Sequence, residues 1–174
     1  INIINKNINF EIKDIAQNIY NKIKEEFNNK KLVAVHVRGG DYKNLSHYHT
    51  NLDITYYISA LTKIKCNDSV KVLFTDDFEY ASKMLNKLYN TFINNMIEKY
   101  IPKNYSYMKN HPELSLFILS CFDYIICANS TFSLWSSYFS NAEKIIIPKK
   151  WFGVEGPKDF KIEELALNDK YYIV

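Results

Sequence analysis

The sequence predicts an α/β domain in which a mainly parallel sheet carries helices on both faces. Short apolar stretches of strand length alternate along the chain with longer segments whose apolar residues recur every three or four positions. The strand-like stretches are apolar at successive positions rather than at every second one, which suits strands covered on both sides. With 174 residues, 47% of them apolar and 24% charged, the chain reads as one domain with material for a sizeable core.

The elements follow in order. Ile12, Ile15, Ile19, Ile23 and Phe27 mark one face of an amphipathic helix over residues 11–29. The β-branched run 32–37 is a buried strand, followed by a polar loop through Asn51. Asp53 is placed to cap a second helix whose core face is Ile54, Tyr57, Ile58, Leu61 and Ile64. A strand over 70–75, helical spacing over 80–88 and a short strand near Met96 and Ile97 come next. Pro112 suits the first turn of a helix running to about Cys121, and 124–128 is again a strand. Residues 130–139 read as a loop entering a helix, 144–147 as a strand closed by Pro148, and the remainder as loop, short helix and tail.

Composition excludes several classes. A formal charge of +3, spread over interleaved Lys and Glu, is too weak and too dispersed to draw nucleic acid or an anionic membrane. The cysteines Cys66, Cys121 and Cys127 are odd in number and lack metal-ligand spacing, so reduced thiols are expected. No apolar run approaches the roughly 20 residues of a membrane helix. No basic-then-apolar leader follows Ile1, and a first residue other than Met suggests a trimmed chain or a fragment. Arg38 is the single Arg among 22 basic residues. Where Lys serves almost everywhere else, that position suggests a need for a planar, permanently charged fork.

Ligands of parallel α/β sheets bind at the carboxyl ends of strands, which nominates three loops. In the first, His36 and Arg38 lie two apart on a strand and so share a face, and Gly39-Gly40 permits a tight turn beside them. Arg38 suits a phosphate; Asp41 could orient Arg38, meet a sugar hydroxyl or cap the turn. In the second, Thr75-Asp76-Asp77 follows a strand directly. A carboxylate there either accepts from a base edge or ribose, or caps the next helix. In the third, Asn129, Ser130, Thr131, Phe132 and Ser133 put hydroxyls and backbone N–H groups at an incoming helix N-terminus, a site for an anion, with Phe132 able to stack on a base. The plain alternative is a Ser cap with Phe132 and Trp135 in the core. His47 and His49 share a strand-like face but lack a third metal ligand, and Glu113 suits a helix first turn as well as a ribose contact.

The three loops together are more specific than any one of them. His36-Val-Arg38-Gly-Gly-Asp41-Tyr42, then Phe74-Thr-Asp76-Asp77, then Ala128-Asn-Ser-Thr-Phe-Ser-Leu-Trp135 followed by Lys144-Ile-Ile-Ile-Pro-Lys-Lys-Trp151, resemble glycosyltransferase family 11, the α-1,2-fucosyltransferases, over about residues 33–152. The resemblance implies the Rossmann-like, donor-binding half of a GT-B fold, with the N-terminal acceptor domain missing from the 174 residues. It implies GDP-fucose as donor, a galactoside-like glycan as acceptor, inversion at the anomeric carbon, and no cofactor or metal. Carried onto matching positions, Arg38 would hold the diphosphate, His36 would help bind GDP and Asp76 would address the guanosine. Asn129, Ser130, Thr131 and Phe132 would meet phosphate and base. Arg38 and Asp41 are the catalytic candidates, Asp41 as the nearest carboxylate, with no general base assigned. The family usually carries a second Arg where this chain has Gly39 and Trp where it has Leu134, which implies weaker donor binding or a narrower choice of donor. The expected setting is the bacterial cytoplasm, with peripheral association at the inner face of the membrane allowed. A noncatalytic nucleotide-binding module and a basic-surface interaction protein are the alternatives from other classes.

Overall fold

A computed structural model describes residues 10–85, 92–93 and 112–174. Its sheet has six strands among these residues: β1 (Lys31–Val37), β2 (Ser69–Thr75), β3 (Phe92–Ile93), β4 (Tyr124–Ile126), β5 (Lys144–Ile147) and β6 (Tyr171–Ile173). Five helices accompany them in the described residues: α1 (Phe10–Glu26), α2 (Ile54–Ile64), α3 (Phe78–Met84), α4 (Pro112–Ser120) and α5 (Thr131–Tyr138). Short 3-10 turns cover Gly40–Asn44 and Ile162–Leu165. Every neighbouring pair of strands is parallel and the order is β3-β2-β1-β4-β5-β6. This is the doubly wound, Rossmann-like order, in which the chain steps outward from β1, returns, and steps outward the other way. In sheets of this order ligands bind at the carboxyl ends of the strands where the order reverses, here β1 and β4.

The central strand shows why both faces are apolar. Leu32 and Ala34 pack with Ile12, Ala16, Ile19 and Ile23 of α1 and Leu114 and Ile118 of α4. Val33, Val35 and Val37 pack on the opposite side with Tyr57, Ala60 and Ile64 of α2 and Ala81 of α3. Successive side chains leave a strand on opposite faces, so covering both turns the alternation into a continuous apolar run.

Local chemistry sets most helix limits. Asp53 caps α2 by accepting from the amides of Thr55 (2.9 Å) and Tyr56 (3.4 Å). α1 stops short of the expected residue 29 because Asn28 (φ 52°) and Asn29 (φ 59°) take the left-handed conformation, which Asn tolerates. The core face of α2 holds the predicted Tyr57 and Ile64, with Ile54 and Leu61 packed against it, but it is shifted to bury Tyr56 and Ala60 and leaves Ile58 45% exposed. Two phenols account for the shift, since Tyr56 donates to the Cys127 carbonyl (2.5 Å) and Tyr57 to that of His36 (3.2 Å). Trp135 is likewise 39% exposed, stacked on Phe139 at 5.9 Å, rather than in the core. The expected tail contains a further strand, β6: three residues on the sheet edge have too short a period to read, and pairing with β5 defines them. The strand expected at Met96 and Ile97 lies outside the described residues.

The amino ends of the strands are tied by one carboxylate. Asp123, immediately before β4, accepts from the Leu32 amide (2.9 Å), Tyr20 (3.0 Å), Lys24 (3.2 Å) and Lys31 (3.1 Å). Burial pushes its pKa up, but the Leu32 amide and the Lys31, Lys24 and Tyr20 hydrogen bonds outweigh burial and hold it below the ordinary carboxylate range. Asp123→Asn should therefore destabilise the protein by about 1.5–3 kcal/mol at pH 7. Because the folded pKa is depressed, this contribution is complete above the unfolded carboxylate pKa of about 3.9 and fades as pH falls through the lower folded value. Urea unfolding of both proteins from pH 7 downward should give a gap that is constant to about pH 4 and narrows only in more acid samples. A gap that is missing at pH 7, or that already narrows between pH 7 and about pH 5, contradicts the assignment.

Candidate functional site

The three loops nominated by the sequence emerge together at the carboxyl edge, from β1, β2 and β4. β1 and β2 pair in register up to Val37 and Thr75, so Arg38-Gly39 and Asp76 leave the sheet side by side. Asp76 Oδ1 accepts from the Gly39 amide (2.8 Å) and Oδ2 pairs with Arg38 Nη1 (2.6 Å). The second guanidinium arm donates to Asp41 Oδ1 (2.5 Å), and Tyr42 lies under the fork at 5.1 Å. Arg38, whose side chain is 30% exposed, is thus held by two carboxylates and an aromatic face. Asp41 contacts Arg38, and no side chain caps the 3-10 turn in which it sits.

Asp77, not Asp76, caps the next helix: it accepts from the Tyr80 amide (3.0 Å) and also pairs with Lys43. That division of labour frees Asp76 to reach across to the β1 loop. The two glycines are needed for this packing. Gly40 has φ +27°, and a Cβ on it would run into the Asp76 carboxylate. A Cβ on Gly39 would lie 2.8 Å from both Asp77 Cβ and Tyr80 Cδ1. A second Arg at position 39 would have to displace α3, so Gly39 is built into the loop and not an empty slot.

His36 and Asn129 stand behind this edge. His36 is 2% exposed, with its ring 5.3 Å from Phe132. Burial, helped by the Arg38 charge, pushes its pKa down to about 3, so the imidazole is neutral at physiological pH. Its Nδ1 is buried without a hydrogen-bond partner among the described residues. Asn129 is also buried, and its amide donates to the carbonyls of Thr50 (2.7 Å) and Trp151 (2.9 Å), fastening two neighbouring loops to the end of β4. Ser130 caps α5 by accepting from the Phe132 amide (3.3 Å), leaving Thr131 exposed at the helix tip and Phe132 half-buried. The edge therefore offers solvent the Arg38 fork, Thr131 and part of Phe132, backed by His36 and Asn129. The helix dipole of α5 adds positive potential at that tip.

Sequence reasoning missed the aromatic support. Tyr42 stacks on His49 (4.1 Å, 9°), and His49 meets Phe152 at 5.9 Å. The loop carrying His49 is stitched to the one carrying Phe152 by Thr50 Oγ1 donating to the Phe152 carbonyl (2.7 Å) and Gly153 N to that of Tyr48 (2.8 Å). Nothing periodic in a polar loop announces this. His47 and His49 do not converge, since His47 faces Glu155 at 3.9 Å. Among the described residues no cluster of His, Cys, Asp and Glu could hold a metal ion, and no helix is long and apolar enough to cross a membrane.

Comparison with known proteins adds to this geometry. Residues 5–167 match glycosyl transferase family 11. Over 146 residues the chain is 32% identical to the O-antigen biosynthesis glycosyltransferase WbnK of Escherichia coli, covering 77% of this chain and 43% of the relative. Over 135 residues it is 30% identical to an alpha-1,2-colitosyltransferase of the same species, covering 74% and 43%. The matches thus span under half the length of these curated relatives. No solved structure matches the chain.

The glycine packing gives a direct test. Gly39→Ala should lower stability by about 1–3 kcal/mol, because the added methyl forces α3 away from the β1 loop. Thermal unfolding that matches the unsubstituted protein would show that the close approach is not a constraint.

Proposed function

The chain belongs to glycosyl transferase family 11, and on that basis we propose that it supplies the donor-binding half of an enzyme that moves fucose from GDP-fucose to a glycan hydroxyl. What supports the reading is one coincidence. The fork of Arg38 and the capped tip of α5 follow β1 and β4, the adjacent strands at whose carboxyl ends a sheet of this order receives nucleotides. In the proposed complex the diphosphate lies between Arg38 and the α5 tip, with the ribose or base toward Asp76 and Phe132. A carboxylate oxygen has two lone pairs, so Asp76 can keep its contacts to Gly39 and Arg38 and still accept another hydrogen bond.

The chemistry follows from charge. As the bond from the anomeric carbon to the phosphate oxygen breaks, the sugar becomes cationic and negative charge gathers on the departing diphosphate. A fixed guanidinium and oriented helix-end amides stabilise that charge without having to reorganise. Attack by the acceptor hydroxyl from the opposite face inverts the anomeric centre. In this scheme Arg38 and the α5 tip do the work that a metal ion does in other phosphate sites, so no metal is required. His36, neutral and buried, keeps Phe132 in position instead of contributing charge. One relative is named for transfer of colitose, which makes a colitose donor the natural competitor.

Arg38→Lys should preserve the fold and lower GDP affinity about tenfold, because an ammonium cannot make the two-armed contact. Calorimetric titration with GDP, alongside circular dichroism, checks both halves of that statement. GDP affinity equal to that of the unsubstituted protein would remove Arg38 from the site.

A further inference from the structure

The two carboxylates on Arg38 are not equivalent. Asp76 is anchored twice, by the Gly39 amide at 2.8 Å and Arg38 Nη1 at 2.6 Å, and its side chain is 20% exposed. Asp41 is 58% exposed, and among the described residues the hydrogen bond to Arg38 is the only one its side chain makes. It sits in the 3-10 turn Gly40–Asn44, which has no buried residue and begins without a side-chain cap. Moving Asp41 therefore disturbs little, whereas moving Asp76 would break the junction of the β1 and β2 loops.

Charge points the same way. Arg38 and Lys43 bring two positive charges to this edge, while Asp41, Asp76 and Asp77 bring three negative ones. Counted together they leave one net negative charge where a dianionic or trianionic ligand must arrive. Repulsion is relieved most readily by releasing the carboxylate that is most exposed and least tethered. Exposed ion pairs are weak, and a phosphate offers the same guanidinium arm a stronger, charge-assisted partner.

We infer that Asp41 is a built-in competitor for Arg38: a nucleoside diphosphate takes over the Nη2 arm that Asp41 occupies, while Asp76 stays and keeps the fork aimed. Asp41 thereby sets donor affinity, holding it below what the fork alone would give and making product diphosphate easier to release. This rests on the donor-binding reading above and adds the element that regulates it.

The test is calorimetric titration of GDP into the protein and into Asp41→Asn and Glu79→Gln. Glu79 is an exposed carboxylate on α3 paired with Lys83 at 2.7 Å, and it controls for the simple loss of one negative charge. Asp41→Asn should bind GDP about threefold or more tightly than the unsubstituted protein, with the gain appearing chiefly as slower release, while Glu79→Gln changes affinity by much less. Weaker or unchanged binding by Asp41→Asn makes Asp41 a support for Arg38 and overturns the competition. An equal gain in Glu79→Gln reduces the effect to general charge and overturns it too. Binding by none of the three proteins at millimolar GDP overturns the donor reading itself, which separates the two failures.

Discussion

Asp76 accepting at once from the Gly39 amide and the Arg38 guanidinium is the contact on which the carboxyl edge depends. It joins the ends of β1 and β2, determines which way the only guanidinium in the sequence points, and requires glycine at 40 so that the backbone can pass the carboxylate. The neighbouring Asp77 takes over capping of α3, so a pair of adjacent aspartates serves two separate structures. Without that division Arg38 would keep only its exposed pair with Asp41 and the Tyr42 ring, and would sample more directions at a greater rotamer-entropy cost on binding.

The opposite end of the sheet uses the same device for another purpose. Asp123 gathers four donors, but its side chain is only 10% exposed and its contacts lock β1 to β4 and α1. At the amino ends of the strands a saturated carboxylate holds the layers together. At the carboxyl ends the partners of Arg38 stay open to solvent and one of them is loosely tethered. A doubly wound sheet sends its crossover loops to the carboxyl edge of the switch point, so exchangeable groups collect there while the amino edge is left to stability.

Much of this was legible before any coordinate. Helical spacing located α1 and α2, Pro112 marked the start of α4, Asp53 announced the cap of α2, and the alternation of elements implied a parallel sheet, because each signal lies within a few residues of the chain. The three loops could be nominated together by the strand-end rule. What could not be read was which partner each polar side chain would take. Asp76 and Asp77 are chemically identical in sequence, and only the register of β1 on β2 sends one across to Gly39 and the other back to Tyr80. The shift of the α2 face from Ile58 to Tyr56 has a related reason, since Tyr56 is drawn inward by the Cys127 carbonyl, 71 positions away.

The chain alone determined the element types, the parallel α/β class, the loops that carry polar chemistry and the family motif within them, all of them properties written in short-range spacing. Tertiary structure decided that the strands among the described residues put β1 beside β4 at the reversal of the sheet, that Tyr80 and Asp77 pack against Gly39, that His36 is buried and neutral, and that Arg38 carries two unequal counter-ions. The physical reason is common to all four. Burial, charge pairing and close approach are made between segments tens of residues apart, and a linear pattern holds no record of distances that only packing creates.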